Sequence, residues 1–228
     1  LPLQFNQDYG IDMTDDAKRA WVAADATRTW PESDATRILF NIQPVIPFSL
    51  NQEWNIITRT IIPFIYAESP IPGDGHDSGL GDISQSIFLS PKGTIGGWII
   101  GFGPNLLYPT ASEDTLGSEK WGAGPTAVLL RQDSGFTYGL LTNHIWSFAG
   151  DDERADVSAT FLQPFVSYTT KTYTTFGVNT ESTYDWKNSE WTVPINVTLT
   201  QMLKAWGQPL SLQLGYCLYV DAPDNGPD

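Results

Sequence analysis

The chain has 228 residues, with 12 Lys+Arg against 26 Asp+Glu and a formal net charge of −14. Charged residues reach only 17%, against roughly 25% in an ordinary soluble domain, and the 13% of aromatics excludes an intrinsically disordered chain. The acidic excess excludes an electrostatic nucleic-acid binder, and the single Cys217 excludes an internal disulfide and a Cys-based zinc site.

Taken in chain order, apolar residues recur every second position. Residues 1–8 are a weak strand candidate. Segment 9–35 breaks the pattern: Thr14 is placed to cap a short helix through Asp15-Asp16-Ala17, with Ala20, Trp21 and Ala24 on one face. The segment reads as a long outer loop, a plug or a surface insertion. Ile38, Phe40, Ile42, Ile46 and Phe48 then alternate with Asn41 and Gln43. After weaker candidates at 54–66 and 80–90, Trp98, Ile100, Phe102, Leu106 and Tyr108 face away from Gly101, Gly103 and Asn105. Segments 121–132, 136–148 and 157–169 are again weaker. Phe176, Val178, Tyr184 and Trp186 alternate with Asn179, Glu181 and Asp185, and Val193, Ile195, Val197 and Leu199 with Asn196, Thr198 and Thr200. Leu210 to Val220 alternate with Ser211, Gln213, Gly215 and Cys217. About eleven half-buried strands result.

No stretch approaches eighteen uninterrupted apolar residues, which excludes a transmembrane helix. Barrel strands, about ten alternating residues each, leave hydropathy nearly flat. The links near 49–53, 91–96, 132–135, 170–172 and 204–208 are short, while those near 9–35, 67–79, 109–120, 149–156 and 187–190 are mostly longer and acidic. This alternation sends the long loops to one end of an up-and-down sheet, as in outer-membrane barrels. The expected fold is therefore all-β, a single domain over 1–228: an up-and-down antiparallel transmembrane β-barrel of about 12 strands. The last strand is expected to be missing from this chain, since the strand ending near Asp221 leaves it on the long-loop side. The start at Leu1, with no Met and no basic-then-apolar leader, is read as a cut front end. Pro44, Pro63, Pro104, Pro125, Pro164 and Pro194 fall inside strands and cannot donate to a ladder, so each is expected at a bulge or bend.

The strings NIQPVIPFSL (41–50), GLGDISQSIFLSPK (79–92), GFGPNLLYPTASEDTLGSEKWGAGPTAVLL (101–130), NHIWSFAGDD (143–152), FLQPFVSYTTKT (161–172) and NTESTYDW (179–186) resemble one bacterial family. It is the family of outer-membrane barrels associated with phenol meta-cleavage degradation pathways, often labelled transporters. The resemblance spans roughly 38–228. It implies a Gram-negative outer-membrane barrel, located in the bacterial outer membrane, with a role in passage of small, aromatic or hydrophobic molecules. Members end with a further strand and a terminal aromatic residue, where this chain ends Gly226-Pro227-Asp228. The family supplies no catalytic or ligand residues.

The candidate lumen-lining set is Arg37, Asn41, Gln43, Arg59, Asp82, Asn143, Asn179, Glu181, Asp185 and Asn196. In a water-filled lumen these groups stay hydrated, and rings of charge tune which solutes pass. Arg59 and Glu181 fall near mid-strand, where they either set a transverse field in an open lumen or form a structural pair in a filled one. His144 lies beside Asn143 and three residues before Ser147, resembling the Ser/His/Asn set of an outer-membrane lipase. Strand parity puts His144 on the opposite face, so no enzyme and no cofactor are expected. The acidic runs Asp74–Asp77 and Asp151-Asp152-Glu153 lack EF-hand spacing and read as a solvated rim rather than a metal site. Trp30, Trp54, Trp98, Trp121, Trp146, Trp186 and Trp191 sit near strand ends, as aromatic girdles do. The expected partners are outer-membrane lipid or lipopolysaccharide and a small-molecule solute, with no nucleic acid and with room for an oligomer. A reading from another class is a secreted soluble β-protein that binds glycans or self-assembles through its sheet.

Overall fold

The computed structural model describes residues 21–29, 37–68, 75–205 and 208–222. The alternating segments form β1 (Trp21–Thr29), β2 (Arg37–Ser49), β3 (Trp54–Glu68), β4 (His76–Leu80), β5 (Ile83–Pro91), β6 (Trp98–Tyr108) and β7 (Lys120–Asp133). They continue with β8 (Phe136–Gly150), β9 (Ser158–Thr169), β10 (Thr174–Thr180), β11 (Ser182–Asp185), β12 (Glu190–Ala205) and β13 (Gln208–Asp221). One 3₁₀ turn, Asp114–Leu116, interrupts the β6–β7 link.

All thirteen strands belong to one antiparallel sheet. β4 and β5 both pair with β3, and β10 and β11 both pair with β9 and β12. Each of these two couples is one interrupted strand, so the thirteen make eleven passes. Because eleven is odd, β1 and β13 run in the same direction, and among the described residues no ladder joins them.

No second layer covers this sheet among the described residues, yet one of its faces is buried. Leu141 and Thr137 are 0% exposed and Gln163 1%, whereas Leu214 on the other face is 77% exposed. A single sheet can bury one face without a partner layer only by rolling up, and this one curls into a barrel wall. The outward face is a continuous apolar band, with Val166, Val178, Val197, Leu199, Leu212 and Leu214 all exposed.

The prolines sit where the ladders break. Around Pro44 the β2–β3 pairing lapses between Ile42↔Ile62 and Val45↔Arg59. Pro104 and Pro125 face each other across β6–β7. Their outer flanks are gaps too: β5–β6 lapses between Ser86↔Asn105 and Leu89↔Phe102, and β7–β8 between Ala123↔Trp146 and Thr126↔Asn143. Pro63 lies opposite the β4–β5 break, and Pro164 opposite the β10–β11 break. Pro194 sits at a register shift between β12 and β13. A residue without an N–H cannot complete its rung, so the neighbour is released there. Gly103 and Gly124 allow the resulting close approaches: a β-carbon on either would collide with the carbonyl oxygen of Ile87 or His144.

One expectation is overturned. Residues 21–29, read as part of a loop or insertion over 9–35, form β1 and pair with β2 from Trp21↔Val45 to Thr29↔Arg37. Ala23, Ala24 and Ala26 favour a helix locally, but a ready ladder partner in β2 outweighs that preference. The strand expected at 1–8 and the Thr14 cap lie outside the described residues.

Candidate functional site on the inward face

Register carries one parity from strand to strand around the wall. The rows include Arg59–Ser86–Asn105, Thr126–Asn143–Phe161, Val128–Leu141–Gln163 and Asn179–Asn196–Cys217. Asn41, Gln43, Arg59, Asn105, Thr126, Gln163 and Asn196 on this face are all under 9% exposed. A buried polar group favours a partner, and neighbouring strands supply several, though Thr137 Oγ1 and Gln163 Oε1 have none among the described residues. Arg59 Nη2 donates to Gln43 Oε1 at 2.8 Å, Ser86 Oγ to Asn105 Oδ1 at 2.9 Å, and Asn196 Nδ2 to Asn179 Oδ1 at 2.9 Å. Gln163 Nε2 donates to Glu181 Oε1 at 3.0 Å, beside the β10–β11 break.

The inward face is thus not one uniform polar ring. One polar group occupies β2–β3 around Asn41, Gln43 and Arg59, and another occupies β9–β12 around Gln163, Asn179, Glu181 and Asn196. Between them, across β5–β9, Phe88, Val128, Leu130 and Leu141 form a buried apolar cluster with Ile57, Ile99, Phe161 and Phe165 packed against it. Cross-strand hydrogen bonds join several of these inward groups, as the filled-interior alternative expects. Arg59 hydrogen-bonds to Gln43 across β2–β3, and Glu181 to Gln163 beside the β10–β11 break. Asn143 is half-buried between Thr126 and Phe161. Arg37 opens β2 opposite Thr29 and Ala67.

Two members of the expected set belong to the rim instead. Asp82, in the β4–β5 break, accepts hydrogen bonds from Ser118 N and Ser118 Oγ at 2.6 Å each and from Ala111 N at 3.2 Å. Asp185 accepts from Lys187 N at 2.7 Å and Asn188 Nδ2 at 2.9 Å, closing the β11–β12 turn. Asp185 thus binds its own turn, whereas Asp82 ties the β4–β5 break to the β6–β7 loop. The sequence reading also missed Ser86, Thr126 and Gln163. Extending parity from the clearer strands into β5, β7 and β9 would have found all three.

The long loops are tied rather than freely solvated. Arg154 Nη2 donates to the carbonyls of Asp114 and Gly117, and its Nε lies 3.6 Å from Glu119. Asp156 bridges Lys120 at 3.4 Å and Lys187 at 3.3 Å. Hydrogen bonding from Lys187 and then Lys120 holds the Asp156 carboxyl below its ordinary range, while burial and then Asp114 raise that of Glu119. Among the described residues no group of three or more His, Cys, Asp or Glu is set to hold a metal ion.

His144 points outward, with Nδ1 2.7 Å from Thr160 Oγ1 and its ring 4.0 Å from that of Trp146. Ser147 lies on the other face, its hydroxyl accepting from Val157 N. The three residues therefore make no shared site. His144 belongs to a band of outward rings at the long-loop end, with Tyr108–Trp121 and Tyr184–Trp186–Trp191. A second band, Trp98–Tyr138 and Phe136–Tyr168, lies at the short-turn end.

A rolled, up-and-down antiparallel sheet with partnered polar groups inside and an apolar band outside is a β-barrel of the inside-out kind. No protein-family model matches the chain, and no curated protein matches it. Among solved structures, the crystal structure of an outer membrane channel from Pseudomonas putida F1 superposes with a TM-score of 0.69 over 93% of this chain and 93% of that one, at 18% sequence identity. The two share a fold.

Proposed function

We propose that this chain forms the wall of a bacterial outer-membrane channel that passes small molecules and carries out no chemistry on them. The observation that carries the reading is the exposed apolar band between two aromatic girdles, on a sheet whose polar groups turn inward. Such a surface is costly in water and suited to lipid. The fold shared with an outer membrane channel supports the same reading.

On this reading Arg37, Asn41, Gln43, Arg59, Asn143, Asn179, Glu181 and Asn196 line the route, and Asp82 and Asp185 stand at its mouth with the acidic loops, which disfavour anions. The half-buried Phe161 and Phe165, packed on the Phe88–Leu141 cluster, suit weakly polar solutes, aromatic ones among them. This agrees with the resemblance to barrels of phenol meta-cleavage pathways. Full-length protein should fractionate with membranes, shift on a gel when boiled in detergent, and make liposomes permeable to small solutes. Liposomes that stay impermeable would overturn the transport reading.

A further inference from the structure

Arg131 lies in β7 near the short turns, on the outward parity. Its ladder neighbours are Trp98 on one side and Tyr138 on the other. The two rings meet edge to face across it, with centroids 5.6 Å apart. The guanidinium is displaced toward the turn. A β-carbon built on Gly97, whose φ is +84°, would stand 3.6 Å from Arg131 Cζ, so the head group lies over a position that bears no side chain. Among the described residues, the guanidinium has no hydrogen-bond or ion-pair partner. The half-buried guanidinium presents five N–H donors in a fixed fork at this boundary.

The surroundings select that partner. Long cationic side chains near a membrane boundary lay their stems on apolar surface and extend the charge to the headgroup level. Here Arg131 stands on the strand between Trp98 and Tyr138, and its head group reaches over Gly97 at the short turn. The short-turn end also carries Lys92, Lys171 and Lys204 against Glu53 and Asp133, whereas the long-loop end carries Asp151-Asp152-Glu153 and most of the other acids. An anionic headgroup is thus attracted to one end of the barrel and repelled from the other. A planar guanidinium matches a phosphate geometrically by two parallel N–H donors.

We propose that Arg131, framed by Trp98 and Tyr138, binds the phosphate of an anionic phospholipid in the leaflet that the short turns face. The inference rests on the membrane reading above. The test is native mass spectrometry of the detergent-solubilised full-length protein, titrated with phosphatidylglycerol or phosphatidylcholine. The wild type should bind phosphatidylglycerol in preference, and Arg131→Gln should weaken that binding about fivefold, the factor expected for one basic residue at a lipid surface. Arg131→Lys should recover part of it. Equal phosphatidylglycerol binding by wild type and Arg131→Gln would overturn the proposal, as would displacement of the lipid by millimolar inorganic phosphate, which would make the site one for the free ion. Flotation of each variant with vesicles and its gel shift on boiling report folding and the membrane reading separately. If no variant floats, the membrane reading falls; if all float with unchanged lipid preference, only the Arg131 site does.

Discussion

Leu141→Ala separates a dry apolar sector from a wet lumen wall. Leu141 is 0% exposed and packs with Phe88, Val128 and Leu130. The substitution removes three buried carbons, about 2.4 kcal/mol at roughly 0.8 kcal/mol for each. The gap cannot close easily, because ladders to Val128 and Gln163 hold the strand on both sides. The residual cavity then adds to the loss and brings the expected cost to about 3–4 kcal/mol. Were this level a water-filled passage, the side chain would already be hydrated and the change would cost under about 1 kcal/mol. Urea unfolding of the full-length protein, folded into thin phosphatidylcholine vesicles, measures the difference, with an unchanged m-value certifying a like-for-like comparison. Leu141→Met keeps the volume and should cost below about 1.5 kcal/mol. A loss under about 1 kcal/mol for Leu141→Ala would refute the dry sector.

Three other outcomes follow from the geometry. Gly103→Ala drives a β-carbon into the Ile87 carbonyl and should abolish the heat-shiftable folded band, whereas Gly93→Ala, with nothing within 4 Å, should leave it intact. The depressed carboxyl of Asp156 stabilises the folded rim above its unfolded value near 3.8, and this contribution disappears as pH falls through the lower folded value. Amide exchange over 151–157 should therefore accelerate only in strongly acidic solution, and a rise already at neutral pH would contradict the Lys187–Asp156–Lys120 tie. Arg59→Ala removes a buried positive charge from the inward face and should move selectivity in planar bilayers toward cations; no change would take Arg59 out of the constriction.

Much of this architecture is legible in the residues, and the failures have definite causes. β2, β10, β12 and β13 can be read because polar and apolar positions alternate cleanly, so one row of Asn, Gln or Thr declares the inward side. β5, β7 and β8 cannot be read so far, since Ile87-Phe88-Leu89, Leu129-Leu130 and Leu140-Leu141 are apolar on both faces. Periodicity shows that such runs are strands but not which face is inside, and the apolar sector stayed hidden for that reason. β1 was obscured by its alanines, whose helical preference only the pairing with β2 overrides. Asp82 and Asp185 carry the right parity but lie at strand ends, where turn amides capture their carboxylates. The six prolines, by contrast, gave sound information, because a missing N–H has one consequence wherever it falls in a ladder.

The polar pairs also constrain how a solute could use this wall. Ser86–Asn105, Asn179–Asn196 and Gln163–Glu181 are direct cross-strand partners, so the hydrogen bonds that hydrate a wide lumen are here spent between strands. A strongly polar solute would shed its own water and find few free donors or acceptors in return, a net cost on entering. A weakly polar solute surrenders little hydration, and the half-buried Phe161 and Phe165 beside the packed Phe88–Leu141 cluster offer dispersion contacts in exchange. If the barrel conducts, discrimination against sugars and ions should therefore come from these satisfied pairs rather than from width alone. Asn196→Ala tests this directly: it leaves the Asn179 carboxamide unpartnered and free to bond a solute. Entry of a small polyol into liposomes should rise relative to that of an aromatic alcohol of similar size. An equal rise for both would mean that the substitution had only widened the route.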